Sequence, residues 1–127
     1  QDGPNYQNVI IELVNYFKYK LEDFNRRGIY NWVLDPGFGF GKRVEDNYSL
    51  LKHLEVFKSL FREPILAGVS RKSMINKVIK TKPDDALNGT TALNMVALMN
   101  GASILRVHDV KEAIETIALY ESVINAS

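Results

Sequence analysis

The chain has 127 residues, 46% of them hydrophobic and 24% charged, enough to bury the core of one ordinary globular domain. Sixteen basic residues against fifteen acidic ones give a net charge of +1 with no run of like sign, so no nucleic-acid or anionic-membrane partner is expected. The absence of cysteine excludes disulfides and thiolate metal sites. With no apolar stretch of membrane length and no signal-type segment near Gln1, a cytoplasmic location is the expectation.

The opening "QDGPNYQ" reads as the middle of a loop, as in a piece of something larger. Val9, Ile10, Leu13, Val14, Phe17, Leu21 and Phe24 then recur at helical spacing, after Pro4 and Asn5 and before Gly28, which predicts a long amphipathic helix. "NWVLD" (31–35) is a short apolar run ending at Pro36-Gly37, too short for a helix and flanked by breakers, hence a buried strand. The glycine-rich "LDPGFGFGK" follows. Leu50, Leu51, Leu54, Phe57, Leu60 and Phe61 mark one second helix, with Asp46 or Asn47 placed to cap it and His53 off its apolar stripe, on the surface. Pro64 opens a strand, "PILAGVS". "RKSMINKVIK" is a short helix, broken by Thr81 to Pro83, and "DDALNGTTALNMVALMNG" resumes a helix to Gly101. "SILRVHD" is a third strand and "VKEAIETIALYESVI" the closing helix, with Asp109 as its N-cap.

Strands separated by whole helices cannot form hairpins, so three parallel strands joined by right-handed crossovers are expected. Leu34, Leu66 and Ile104 lie 32 and 38 residues apart, which suits one strand-loop-helix unit each. A doubly wound sheet or a (β/α)8 barrel fits, and both put the site at the carboxyl ends of the strands. There stand Asp35 and the glycine loop, then Ser70-Arg71-Lys72, then Arg106 and His108, two apart and so on one side of their strand. A carboxylate facing paired N–H donors and cations facing an anion such as phosphate are the implied chemistry. The glycines let the chain turn and approach a ligand, and Phe38 and Phe40 are placed to offer a ring face. The plainer reading makes Asp35 a turn residue and the basic residues solvated helix starts. Neither a P-loop nor G-x-G-x-x-G fits, because Pro36, Lys42 and Arg43 stand where those motifs need other residues.

Taken together, "LDPGFGFGK", "GVSRKSMI", "GTTALNMVAL" and "LRVHDVKEA" resemble the dihydropteroate synthase family in order and spacing, across essentially the whole chain. The resemblance implies an α/β fold comprising strands six to eight of a (β/α)8 barrel, the carboxyl-terminal half of one pterin-binding domain over residues 1–127. A full barrel takes roughly 250 residues. It implies a transferase that condenses p-aminobenzoate with 6-hydroxymethyl-7,8-dihydropterin pyrophosphate. Asp35 resembles the carboxylate that pairs with the pterin. Lys72 resembles the lysine reaching both substrates. Gly39, Phe40 and Ser70 resemble residues of the p-aminobenzoate pocket, where sulfonamides bind in this family, and Gly68 lies where bulk would block the pterin. Arg106 and His108 resemble the pyrophosphate site.

Magnesium is implied with ligands outside this chain, so no metal ligand is assigned within it. A homodimer is implied through the helices of this half. The alternatives are an inactive structural or binding fragment and the related folate-binding methyltransferase barrel. In a partial barrel the inward faces of Trp32, Leu34, Ile65, Ala67 and Ile104 are expected to lack an opposite wall.

Overall fold

The apolar stripe of the first helix does form one face. A computed structural model describes residues 6–39 and 41–127, with side chains from residue 9 onward, and in it α1 spans Tyr6–Arg26. Ile10 and Phe17 are buried while Tyr16 and Tyr19 stay exposed on the other side. Gly28, at φ 81°, ends the helix, and its N–H and that of Ile29 return to the carbonyls of Asn25 and Phe24 at 3.0 Å each. Pro4 and Asn5 lie outside the described residues.

The expected second helix is two. α2 (Val44–Lys52) and α3 (Leu54–Leu60) meet at His53, which is half-buried at the joint rather than on the open surface. The break has a visible cause. Asn100, from the turn after α5 (Leu87–Met99), donates its side-chain amide to the carbonyls of Leu51 (2.9 Å) and Lys52 (3.4 Å), which a continuous helix would give to residues four further on. Leu50, Leu54 and Phe57 remain wholly buried, so both pieces still serve one core. Phe17 of α1 meets Phe57 and Phe61 edge-on, with centroids 5.7 and 5.9 Å apart. The cap also differs from expectation: Arg43 is the N-cap, and Asp46, three residues on, accepts its backbone N–H at 3.3 Å.

Of the three strands expected, two are recognisable as strands. β1 (Leu66–Ala67) and β2 (Ile104–Leu105) pair in parallel, Leu66 opposite Ile104 and Ala67 opposite Leu105. The third, 31–35, reduces to a single parallel bridge between Leu34 and Ile65, through Leu34 N–H to the Pro64 carbonyl (2.9 Å) and Leu66 N–H to the Leu34 carbonyl (2.8 Å). Residues just before it are held elsewhere. The Trp32 ring stacks on Phe24 at 4.4 Å and its indole N–H donates to the Ile29 carbonyl at 3.0 Å, which curls 29–32 away from the ladder.

The helices α4 (Ser73–Ile79), α5 and α6 (Val110–Ile124), with a 3-10 turn at Pro83–Asp85, complete the element order. α6 packs along α5, and α4 packs on α2 and α5. One face of the ladder is buried in a core shared with α1 to α5: Leu34, Ile65 and Ala67 are at most 5% exposed. These residues therefore point outward into the helical layer and are not the unfilled inner face. That face carries Ile104 (37% exposed), as expected, together with Val33 (47% exposed) and Leu66, each one position out of step with the residues expected there.

Gly89 shows how closely α4 and α5 approach, because a Cβ there would sit 2.5 Å from Cγ2 of the buried Ile75 and 3.3 Å from Cδ1 of Ile79. Alanine in a helix is ordinarily favoured over glycine by about 1 kcal/mol. Here overpacking costs about 1–3 kcal/mol and Cγ2, fixed beside the Ile75 Cβ, cannot swing away without moving α4. Gly89→Ala is therefore expected to be net destabilising, seen as a lower urea midpoint. An unchanged or raised midpoint would disprove this packing.

Candidate active site

The parallel register aligns the carboxyl ends of the ladder, and the polar residues there converge. Gly68, Ser70, Lys72, Arg106, Val107 and His108 line one cleft of about 360 Å³. Among the described residues, two other concavities are larger. One, about 560 Å³, lies at the amino ends of the ladder between Tyr30–Val33 and Arg62–Pro64, and the other, about 380 Å³, runs along α2. Neither gathers convergent cations, which makes the smaller cleft the candidate site.

Its positive charge is arranged by the backbone. Lys72 is the N-cap of α4, and its ammonium donates to the Phe38 carbonyl at 2.7 Å, which ties the glycine loop to the end of β1. Burial holds the Lys72 amine below the usual lysine range; Asp35 opposes that, and Arg106 and Lys42 add to it. Arg106 is exposed at the rim; its backbone N–H is held by the Ala67 carbonyl at 3.0 Å, while its guanidinium makes no hydrogen bond or ion pair among the described residues. A Cβ on Gly68 would lie 3.7 Å from the Arg106 Cβ and 3.8 Å from the Lys72 ammonium, so glycine keeps the floor between the two cations open.

Ser70, 4% exposed, accepts the backbone N–H of His108 at 3.2 Å and lies 2.9 Å from its Nδ1, fixing both the chain and the ring of that histidine. Arg106, His108, Lys72, Ser70 and Gly68 are thus brought together as the sequence suggested. Gly39, at φ 97°, packs beside the Lys72 stem. Asp35 is exposed and its Oδ1 accepts the Gly37 N–H at 2.9 Å, the turn role that was the plainer reading. Its field reaches both Lys42 and Lys72, although it does not line the cleft. Phe38 offers no ring face: it is 1% exposed, part of the core. Phe40 lies outside the described residues.

Residues for which the sequence suggested only local roles, and Thr90, for which it suggested none, hold this assembly in place. Arg71 is not a solvated helix start. It sits at φ 53°, its backbone N–H donates to Thr90 Oγ1 at 2.9 Å, and its guanidinium donates to the Pro83 carbonyl (2.7 Å) and to both oxygens of Asp109 (3.1 and 2.9 Å). This fork joins the loop after β1 to the start of α6. Asp109 occupies the N-cap position as expected, yet it makes no side-chain cap bond, because Arg71 takes its carboxylate. Asn47 is buried, accepts the Gly39 N–H at 2.8 Å and donates to the Arg43 carbonyl at 3.1 Å. The signal for Thr90 and Asn47 was present in principle, as polar residues on the apolar faces of helices.

The hydrogen bonds from Arg71 hold the Asp109 carboxyl below the ordinary carboxylate value of 3.8. A lowered folded-state value contributes stability that is complete above the ordinary value and is lost as pH falls through the folded one. The difference in unfolding free energy between the wild type and Asp109→Asn is therefore expected to be constant from about pH 6 to 8 and to shrink below about pH 4. A pH-independent difference measured by urea titration would remove the ion pair from the account.

The sequence matches the model of a family described as pterin-binding enzymes over residues 1–108. A dihydropteroate synthase of Escherichia coli K12 is 42% identical over 128 residues, covering 99% of this chain. The chain spans 45% of that relative's length. Among solved structures, the Yersinia pestis dihydropteroate synthase in a sulfonamide drug complex superposes with a TM-score of 0.91 at 39% identity, over 100% of this chain and 47% of that one. A Coxiella burnetii dihydropteroate synthase in complex with pteroic acid gives 0.91 at 31% identity, over 99% and 48%. With a family match over most of its length and this cleft at the ends of its parallel ladder, the chain belongs to the pterin-binding enzyme family.

Proposed function

We propose that this chain supplies one wall of a dihydropteroate synthase site, and that it corresponds to strands six to eight, the carboxyl-terminal half, of a (β/α)8 barrel domain. The observation that carries the reading is the cleft itself. Lys72 and Arg106 flank a glycine floor, with His108 held by Ser70 at the same mouth. Two cations there recognise a pyrophosphate, which is a better target for this field than a neutral ring. The parallel bridge at Leu34 and the Leu66–Ala67 ladder put the Asp35 loop beside that mouth, as the barrel reading requires. The names of the relatives support dihydropterin pyrophosphate and p-aminobenzoate as the substrates.

In this reading the bond from the pterin-side methylene carbon to the pyrophosphate oxygen breaks, and its electron pair leaves with the oxygen. Arg106, His108 and Lys72 stabilise that developing charge. The aromatic amine of p-aminobenzoate donates its lone pair to the same carbon and gives up a proton to solvent. A neutral aniline nitrogen needs little general base. Asp35 presents its carboxylate to the ring N–H and amino group of the pterin, while Gly39, Phe40 and Ser70 line the place of the second substrate and Gly68 leaves room for the first.

Magnesium does not fit the described residues: the cleft is cationic, and among them no group of three or more His, Asp or Glu is placed to hold a metal. Its ligands are proposed to lie outside this chain, and no step is derived through it. Among the described residues no helix is long and apolar enough to cross a membrane, which is compatible with the proposed cytoplasmic location. The exposed apolar side chains of Met99, Ile114, Leu119 and Val123 on α5 and α6 support a homodimer through these helices.

Arg106→Met tests the anion site. It is expected to weaken inorganic pyrophosphate binding about tenfold or more while changing 6-hydroxymethylpterin binding less than about twofold, by calorimetry. Equal loss for both ligands would place Arg106 in the fold instead. For the dimer, Ile114→Asp is expected to shift the sedimenting species toward monomer, and an unchanged distribution would remove α6 from the contact.

A further inference from the structure

The glycine loop makes its hydrogen bonds almost entirely without secondary structure. The carbonyls of Pro36 and Gly37 are both taken by the Lys42 ammonium, at 3.1 and 2.7 Å. The next carbonyl, Phe38, receives Lys72 at 2.7 Å, and the next, Gly39, receives the Lys42 backbone N–H at 2.8 Å. On the donor side, Gly37 N–H goes to Asp35 and Gly39 N–H to Asn47. Gly37, Gly39 and Gly41 stand at φ 76°, 97° and 75°, a conformation that L side chains avoid and that leaves a glycine backbone free to reach many others. A loop of this composition holds one shape only if something outside its own backbone holds it.

Building on the proposed function, we infer that Lys42 is a positioning residue for Asp35 and Lys72. Its ammonium closes the turn by drawing two successive carbonyls to one point. That closure sets the Gly37 N–H against Asp35 on one side and aims the Phe38 carbonyl at Lys72 on the other. Lys42 lies outside the cleft lining and acts through these two residues. Its ammonium is partly buried, with Asp35 and Asp46 as the carboxylates whose charge reaches it, so it is anchored by the same Asp35 that it helps to place. Arginine keeps the charge with a different reach, and methionine keeps the stem without the donor.

Two measurements decide this, one of which does not depend on the function. In the ligand-free protein, Lys42→Met is expected to speed amide hydrogen exchange at Gly37 and Gly39 about tenfold or more, with Lys42→Arg between it and the wild type. Unchanged exchange in both variants overturns the clamp, and so does a Lys42→Met protein that fails to fold, because a clamp confined to this loop leaves the buried core of α2 to α5 intact. The second measurement is a cycle with Lys72→Met, read by inorganic pyrophosphate binding, to which Asp35 makes no contact in the proposed reading. Lys42→Met is expected to weaken binding about tenfold when Lys72 is present and less than about twofold when it is not. Equal losses in the two backgrounds overturn the positioning role. A wild-type protein that binds no pyrophosphate would sink the proposed function, while the exchange result would still decide what Lys42 does.

Discussion

The cleft is referred to one short run of backbone, Pro64 to Ala67. The Pro64 carbonyl accepts Leu34, the Ile65 carbonyl accepts both Ser103 (2.8 Å) and Ile104 (3.2 Å), and the Ala67 carbonyl accepts Arg106 (3.0 Å). Ile65 and Ala67 are themselves fully buried against the helices. Because side chains alternate along a strand, this burial decides which residues look the other way. A slip of one residue would send Gly68 and Arg106 into the helical layer and the aliphatic residues into the cleft. The packing of the helices on Ile65 and Ala67 therefore decides which side the cleft residues face.

Charge is the second constraint. Lys42, Lys72 and Arg106 stand near one another, with Asp35 as the carboxylate whose field offsets the two lysines. Such a cluster is unfavourable by itself, because burial and mutual repulsion both oppose the charged amines. The lysines are retained by backbone carbonyls, which solvate them without neutralising them. The result is a fixed positive field that an incoming anion relieves, the kind of preorganisation that favours departure of a charged leaving group.

Mechanical coupling between the strand ends comes first from a residue with no place in the chemistry. Arg71, held in a left-handed conformation, spans from Thr90 on α5 and Pro83 in the 3-10 turn to Asp109 at the start of α6. Ser70 reaches the same third segment through His108. The loop after β1 is thus fastened to the loop after β2, so Lys72 and Arg106 are presented as a pair. Strain of this sort in a non-glycine residue persists only where the surroundings over-determine it.

Periodicity and breakers alone were sufficient for the order of helices and apolar runs, and for the placing of Ser70, Lys72, Arg106 and His108 at adjacent strand ends. Those features depend on neighbours in the chain: a stripe recurs every 3.6 residues, and a strand end is marked by its loop. What the tertiary structure decided depends on partners far away in sequence. Asn100 splits α2 from α3, Trp32 curls residues 29–32 out of the ladder, Phe38 turns into the core, and Asp109 gives its carboxylate to Arg71. Ile104 stands on the inner face as read, but the two earlier runs were read one residue out of step because short runs that are apolar on both sides do not say which side the helices will cover. Local pattern sets the elements, while the choice of face, cap and hydrogen-bond partner is made by whichever distant group arrives to satisfy a buried polar atom or to exclude water from a side chain.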